Sequence, residues 1–277
     1  MLKPCDRGGF FKPFNVMDNN GPDQSRTKIY RYNSLGYRGE EYDPAAAFRI
    51  FTFGCSNTFV TGLNWEEGFP YRFKERVAEH FGYQVSELNL MNFSAGGHSN
   101  DYSVRTMLRQ CEDESPDLIL FDPSPINRIE YVNEGGYGEF FCPGRTSQTQ
   151  KSLEYYDFYT ETMGFVNFVK NLLFVQWYCQ ARSLSYLFHI RWCDIDRFRS
   201  NRTCLDYIEQ LDFSRICSSR DIAKVDDAAD RIYNENGDLI WSHDGPVTNK
   251  LIADRLYHFA CEQGLLPRQA AKVVAHS

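Results

Sequence analysis

Short apolar runs that end at turn residues alternate along this chain with longer stretches of helical spacing. The first run, residues 48–53, stops abruptly at Gly54 and predicts a buried strand of a parallel sheet. Residues 69–81 follow with Phe69, Phe73, Val77 and Phe81 on one side, the spacing of an amphipathic helix. Residues 85–93 predict a second strand and 101–111 a second helix. Residues 116–121 predict a third strand, whose unbroken apolar run suits a central place. Residues 185–190 predict a fourth strand, and 248–261 a final helix turning Leu251, Ile252, Leu256 and Phe259 toward the body. A strand–helix–strand–helix–strand order argues for a layered α/β domain with a parallel central sheet.

The rhythm fails in three places. Residues 1–45, rich in Gly, Pro, Asn and Asp, predict an irregular N-terminal arm. Residues 133–182 begin with a glycine-rich patch and continue as an aromatic-rich helical insertion. Residues 194–236 are charged and carry no clear period. One α/β domain over 46–265 and a tail over 266–277 complete the expected organisation.

Composition narrows the function more than the fold. Of 277 residues, 42% are hydrophobic and 24% charged, ordinary for a globular chain, whereas an aromatic share of 16% is high enough to supply a core, a lid or a contact surface. A net charge of −7 gives no electrostatic reason to bind nucleic acid or an anionic membrane. The most apolar stretch, 165–177, is broken by Asn, Lys and Gln and is too short to span a bilayer. The first residues carry no apolar run of a secretory leader. A cytoplasmic protein without a membrane partner is therefore expected. Nine cysteines in no metal-ligand spacing predict buried, reduced thiols, and with no His/Cys cluster neither a metal nor another cofactor is expected.

Ser56 is the first candidate for chemistry. It follows the strand over 48–53 at its C-terminal end, where open α/β sheets place their ligands, and Gly54 permits the sharp turn. A serine there also suits a plain turn or cap role. Three later blocks add to it. Asn92-Phe-Ser-Ala-Gly-Gly-His-Ser99 is a glycine-rich strand-to-helix turn. Pro116-Asp-Leu-Ile-Leu-Phe-Asp-Pro-Ser-Pro-Ile-Asn-Arg128 is a strand followed by a polar loop. Trp241-Ser-His-Asp-Gly-Pro-Val-Thr-Asn-Lys-Leu-Ile-Ala253 leads into the last helix.

Taken in order, Phe53-Gly-Cys-Ser-Asn-Thr-Phe-Val-Thr-Gly62 and these three blocks resemble the SGNH hydrolases, also called the GDSL esterase/lipase family. The first block resembles Gly-Asp-Ser-x-Thr-x-Gly, with Cys55 in the Asp position and Gly62 slightly late. The second resembles Asn-x-Gly-x-x-Gly, with Ser94 replacing the first Gly. The third lacks the Gly of Gly-x-Asn-Asp. The fourth resembles Asp-x-x-His: counting back from Ile252 and Ala253 gives His243, with Ile240 where the Asp belongs.

The resemblance implies a flavodoxin-like three-layer α/β/α sandwich and a serine hydrolase cleaving an acyl or acetyl ester of a small molecule or a carbohydrate. It implies Ser56 as nucleophile, His243 as base, and Asp238 as a shifted orienting acid, with Asp244 as a rival that instead caps the last helix. The oxyanion hole would be the N–H groups of Ser56 and Gly97 and the Asn127 amide, with His98 lining the pocket. These types fit the chemistry. A serine hydroxyl needs a base, an imidazole titrates near neutrality, and a carboxylate fixes its tautomer. His80, His189, His258 and His276 read as helix, strand and tail residues. Two other readings use the same features. One is acyl transfer to an alcohol or amine by the same Ser–His pair. The other, motivated by Cys55 and Ile240, is an SGNH-type fold that has lost its chemistry and serves as a binding or structural module.

Overall fold

Strand β3 (Phe48–Gly54) has neighbours on both sides and helices on both faces, and from Ile50 onward each of its residues is buried. This is why its apolar run is unbroken rather than alternating. A computed structural model of the chain describes residues 1–5, 17–19, 28–132, 138–141, 150–222, 230 and 243–266. Five parallel strands form the central sheet: β3, β4 (Leu88–Asn92), β5 (Leu118–Asp122), β8 (Tyr186–Ile190) and β9 (Ile216–Ser218). Their spatial order is β4-β3-β5-β8-β9, so the third strand is central as its apolar run predicts. In register, Thr52 pairs with Asn92 and with Leu120, and Gly54 with Asp122.

Alternate side chains enter two cores. Phe51, Phe53, Ile119, Phe121 and Phe188 face a layer of α2 (Asn100–Gln110), α4 (Glu161–Ala181) and α5 (Arg202–Ile208). Ile50, Leu118, Leu120 and Leu187 face α1 (Phe69–Phe81) and α6 (Pro246–Glu262). The result is a three-layer α/β/α sandwich. The aromatic surplus goes largely inward: Phe93 stacks on Phe53, and Phe165 on Phe198 with ring centroids 4.0 Å apart.

Helix ends follow local chemistry. Pro70 opens α1 and Gly82, at φ 68°, closes it in the left-handed conformation. The aromatic-rich helical stretch is two helices, α3 (Gln150–Phe158) and α4, the second capped by Thr160, which accepts from the Met163 N–H at 3.1 Å, and packed on the sheet. A hairpin of β6 (Ile129–Val132) and β7 (Gly138–Phe141) precedes them. In the N-terminal segment β1 (Met17–Asn19) pairs antiparallel with β2 (Lys28–Tyr30).

The structure differs from the sequence pattern in three places, the first being that Val85–Glu87 form a 3-10 turn and the second strand starts only at Leu88. Leu251 is 44% exposed, and the inward stripe of α6 is Thr248, Ile252, Ala253, Leu256 and Ala260. The charged region holds α5 and β9, seven and three residues long, too short for a period to declare itself. Among the described residues the cysteines are free, and burial pushes the Cys111, Cys179, Cys193 and Cys217 thiols up to about 12, so they stay protonated. Among the described residues no helix is long and apolar enough to cross a membrane, and no group of three His, Cys, Asp or Glu side chains is placed to hold a metal.

Helices α1 and α6 are tied by Arg76 Nε to Asp254 Oδ1 at 2.7 Å, and Lys250 Nζ reaches Asp254 Oδ2 at 2.7 Å. Burial alone would raise the Asp254 carboxyl, but the bonds from Lys250 and Arg76 outweigh it and hold the group below its ordinary 3.8. A depressed carboxylate contributes stability above its unfolded pKa and loses it as pH falls through the folded one. Asp254→Asn should therefore cost about 0.5 kcal/mol in urea unfolding at neutral pH, as for a partly exposed pair. That gap should start to close near pH 3.8 and be absent once the wild-type carboxyl is protonated in both states.

Candidate active site

Because the strands run parallel, the segments that follow β3, β4, β5, β8 and β9 all leave one edge of the sheet. Ser56 is there, half-buried, two residues beyond the end of β3. Glycine is required at 54: a Cβ would collide with Thr58 Oγ1 and come within 2.8 Å of the Asp122 carbonyl oxygen. The chain then coils. The Phe59 N–H donates to the Cys55 carbonyl at 2.8 Å, and the Thr61 N–H to that of Ser56 at 3.0 Å. Val60 takes a left-handed φ of 65°, costly for a β-branched residue.

A clamp from the N-terminal segment holds this coil. Arg38, 1% exposed, donates from Nη1 to the Phe59 carbonyl at 2.7 Å and to that of Val60, and from Nη2 to Leu63 at 2.6 Å. Its guanidinium lies 4.0 Å from the centre of the Tyr30 ring, and the Tyr30 hydroxyl accepts from the Gly62 N–H. Burial lowers Arg38 to about 10, which leaves it charged at neutral pH. On the other side the Asn92 amide donates to the Thr58 carbonyl at 2.8 Å, while Asn92 Oδ1 accepts from the Thr52 hydroxyl at 3.2 Å and the Ser94 N–H at 3.1 Å.

The glycine-rich loop after β4 runs beside Ser56. A Cβ placed on Gly96 would lie 3.9 Å from the Ser56 Cβ, ordinary van der Waals distance. The Ala95 N–H binds the Gly54 carbonyl at 3.3 Å, and Gly97 takes φ 79°. His98 is buried; its Nδ1 donates to the Gly96 carbonyl at 3.0 Å and its ring lies 4.2 Å from that of Tyr102. His98 thus braces the loop from within. The segment after β5 is locked to it: the Ser124 hydroxyl donates to the His98 carbonyl at 2.7 Å, and the Ser124 N–H to Asn100 Oδ1 at 2.7 Å. Asn127 lies half-buried on the following turn, where its carbonyl accepts from the Tyr156 hydroxyl at 3.1 Å.

His243 and Asp244 immediately precede α6. Asp244 is buried and its Oδ1 is 2.9 Å from Nη2 of Arg191, the first residue after β8, so this loop is anchored to the same edge. The cap of α6 comes from elsewhere: Asp230 Oδ1 accepts from the Val247 and Thr248 N–H groups at 2.8 and 3.0 Å, and Asp230 Oδ2 from the Thr248 hydroxyl at 2.6 Å. Asp230 thus caps the start of α6, and the Asp244 carboxylate pairs with Arg191. Asp238 lies outside the described residues. Asn249 joins this loop to α1. Its amide donates to the Asp244 and Gly245 carbonyls at 2.8 and 2.9 Å, and its Oδ1 accepts from the Phe69 N–H at 2.8 Å.

A side chain at 96 would thus meet Ser56, and His243, Asn127 and Asp244 lie on segments of the same edge. Sequence reasoning missed Arg38, Asn249 and Asp230 as supports. It also took His189 as an ordinary strand residue, yet His189 Nδ1 is 3.0 Å from Asp122 Oδ1. The signal was there: an Asp ending one apolar run and a His inside another require partners when buried.

No protein-family model matches the sequence, and no curated protein matches it. Solved structures resemble the chain at low identity. TesA is 14% identical, with a TM-score of 0.46, over 78% of this chain and 99% of that one. The acetyl xylan esterase AlAXEase is 15% identical, with a TM-score of 0.43, over 76% and 98%. The psychrotrophic esterase EstA from Pseudoalteromonas sp. is 14% identical, with a TM-score of 0.42, over 77% and 97%. These likenesses concern the course of the chain alone.

Asn249→Ala would remove three hydrogen bonds and leave the buried Phe69 N–H without its acceptor. Urea unfolding should show a loss of about 2 kcal/mol, the cost of an unsatisfied buried donor together with lost bonds.

Proposed function

We propose that the chain is a serine hydrolase of the SGNH type, cleaving an acyl or acetyl ester of a small molecule or a carbohydrate. The observation that carries this reading is the position of Ser56 at the C-terminal edge of a parallel sheet beside the glycine-rich loop, where a side chain at 96 would meet it, with the segment of His243 anchored to that edge by Asp244 and Arg191. Ser56 is half-buried, and Gly54, Arg38 and Asn92 hold its turn. Such pre-organisation favours attack, because the nucleophile need not be ordered at the moment of reaction.

In the reaction, Ser56 Oγ attacks the ester carbonyl carbon while His243 takes the hydroxyl proton. The carbonyl oxygen becomes an oxyanion, to which the N–H groups of Ser56 and Gly97 and the Asn127 amide would donate. Collapse breaks the carbon–oxygen bond, and His243 returns its proton to the leaving alcohol. A water molecule then attacks the acyl-serine with His243 again as base, releasing the acid and restoring Ser56. Asp238 would orient the His243 imidazole and stabilise its protonated form. The scheme is complete with the chain's own residues and water.

Hydrolysis of a short p-nitrophenyl ester tests it. Ser56→Ala and His243→Ala should each lower kcat by about a thousandfold or more, with Asp238→Asn less severe. A fluorophosphonate should label the wild type at Ser56 and leave Ser56→Ala unlabelled. Near-full activity in Ser56→Ala would sink the assignment.

A further inference from the structure

Four side chains with almost no exposed surface run across the sheet just beneath the edge that carries Ser56. Thr58 is 0% exposed, Asp122 1%, His189 1% and Ser219 0%. The Thr58 hydroxyl donates to Asp122 Oδ2 at 2.5 Å. Asp122 Oδ1 lies 3.0 Å from His189 Nδ1, a close approach that is not aligned as a hydrogen bond. His189 Nε2 meets Ser219 Oγ at 2.6 Å. The chain of contacts therefore starts in the turn of Ser56, crosses β5 and β8, and ends one residue beyond β9. Strand alternation turns Asp122 and His189 to the α1/α6 face, where the Phe69 ring packs against the imidazole at 5.1 Å.

This set has the composition of a nucleophilic triad, but Ser219 exposes no surface to a substrate. Stability alone does not account for it either. Well-packed apolar side chains of the same volume commonly match or exceed a buried polar network. What it does achieve is geometric. Thr58 is fixed through its hydroxyl by Asp122 and through its carbonyl by Asn92, while Gly54 is fixed in the β3 ladder. Ser56 is the midpoint of that five-residue span. The motif that this turn resembles has a carboxylate next to the serine, where Cys55 stands; here the carboxylate under the turn comes from the neighbouring strand.

We infer that Thr58, Asp122, His189 and Ser219 form a buried positioning relay for Ser56. Asp122 orients Thr58, His189 packs against Asp122, and Ser219 bonds the imidazole. The inference rests on the reading of Ser56 as nucleophile, and none of the four touches substrate. Replacing the Thr58 hydroxyl by a methyl preserves volume and removes only the donor.

The test compares Thr58→Val, Thr58→Ser and Ser56→Ala in the full chain. Thr58→Val should lower both kcat on the p-nitrophenyl ester and the rate of fluorophosphonate labelling by about tenfold or more, with KM unchanged. Thr58→Ser, which restores the hydroxyl, should recover both. Should Thr58→Val fail to fold, His189→Gln takes its place with the same expected split. Values of kcat and labelling within about twofold of wild type, alongside an inactive Ser56→Ala, would overturn the relay and leave the hydrolase reading intact. If the wild type neither hydrolyses esters nor labels at Ser56, the hydrolase reading fails. The relay is then judged by amide hydrogen exchange over residues 55–61. Faster exchange in Thr58→Val, reversed in Thr58→Ser, supports it, and unchanged exchange rejects it.

Discussion

The structure depends on the pairing of β3 between β4 and β5, all parallel. Once this strand is hydrogen-bonded on both sides and covered on both faces, a polar side chain along its buried length needs an internal partner, as Thr52 has in Asn92. Chemistry is then confined to its C-terminal end, where the other parallel strands also release their chains. The Ser56 turn and the glycine-rich loop leave that edge joined by the Ala95 N–H to the Gly54 carbonyl, and the loop after β5 is bonded to the glycine-rich loop through Ser124. The same pairing sets Gly54 opposite Asp122, so β3 ends where a carboxylate waits on the adjacent strand.

Crowding several loops onto one edge buries many backbone donors and acceptors outside regular structure. Each needs a partner, since an unsatisfied buried group costs about 1–3 kcal/mol. Arg38 supplies donors to three carbonyls of the coil after Ser56. Asn249 and Asp230 supply the corresponding groups around the start of α6. Ser124 and Asn100 join the second loop to the third. These polar residues hold the site's backbone in a strained course, including the left-handed Val60. The N-terminal segment is therefore part of the candidate site's construction: through Arg38 and Tyr30 it grips the Ser56 turn from outside the α/β layers.

Long elements were legible in the sequence, and short or cooperative ones were not. Helix α1 matches its apolar spacing over Phe69–Phe81, because Phe69, Phe73 and Val77 face a core fixed by the helix's own period. In α6 the same reasoning misplaced Leu251, since α6 buries the small Thr248, Ala253 and Ala260 against its neighbours and turns a leucine outward. Ser56, Gly97 and His243 could be put forward from the sequence because the turns carrying them are local motifs. Arg38, Asn249 and Asp230 could not. Arg38 bonds 21 to 25 residues away and Asp230 17 to 18, and Asn249, beside its local bonds to Asp244 and Gly245, reaches the Phe69 N–H 180 residues away; nothing local announces such contacts.

By itself the sequence determined the alternation of strands and helices, the central place of β5 and the serine at the end of β3, because each follows from burial period and turn chemistry within a few residues. Only the tertiary structure decided which carboxylate answers which group. Asp244 goes to Arg191, Asp230 to the start of α6, and Asp122 to Thr58 and His189. Those pairings are set by the order in which the parallel strands lie side by side, and a buried charge takes the partner that packing brings within reach.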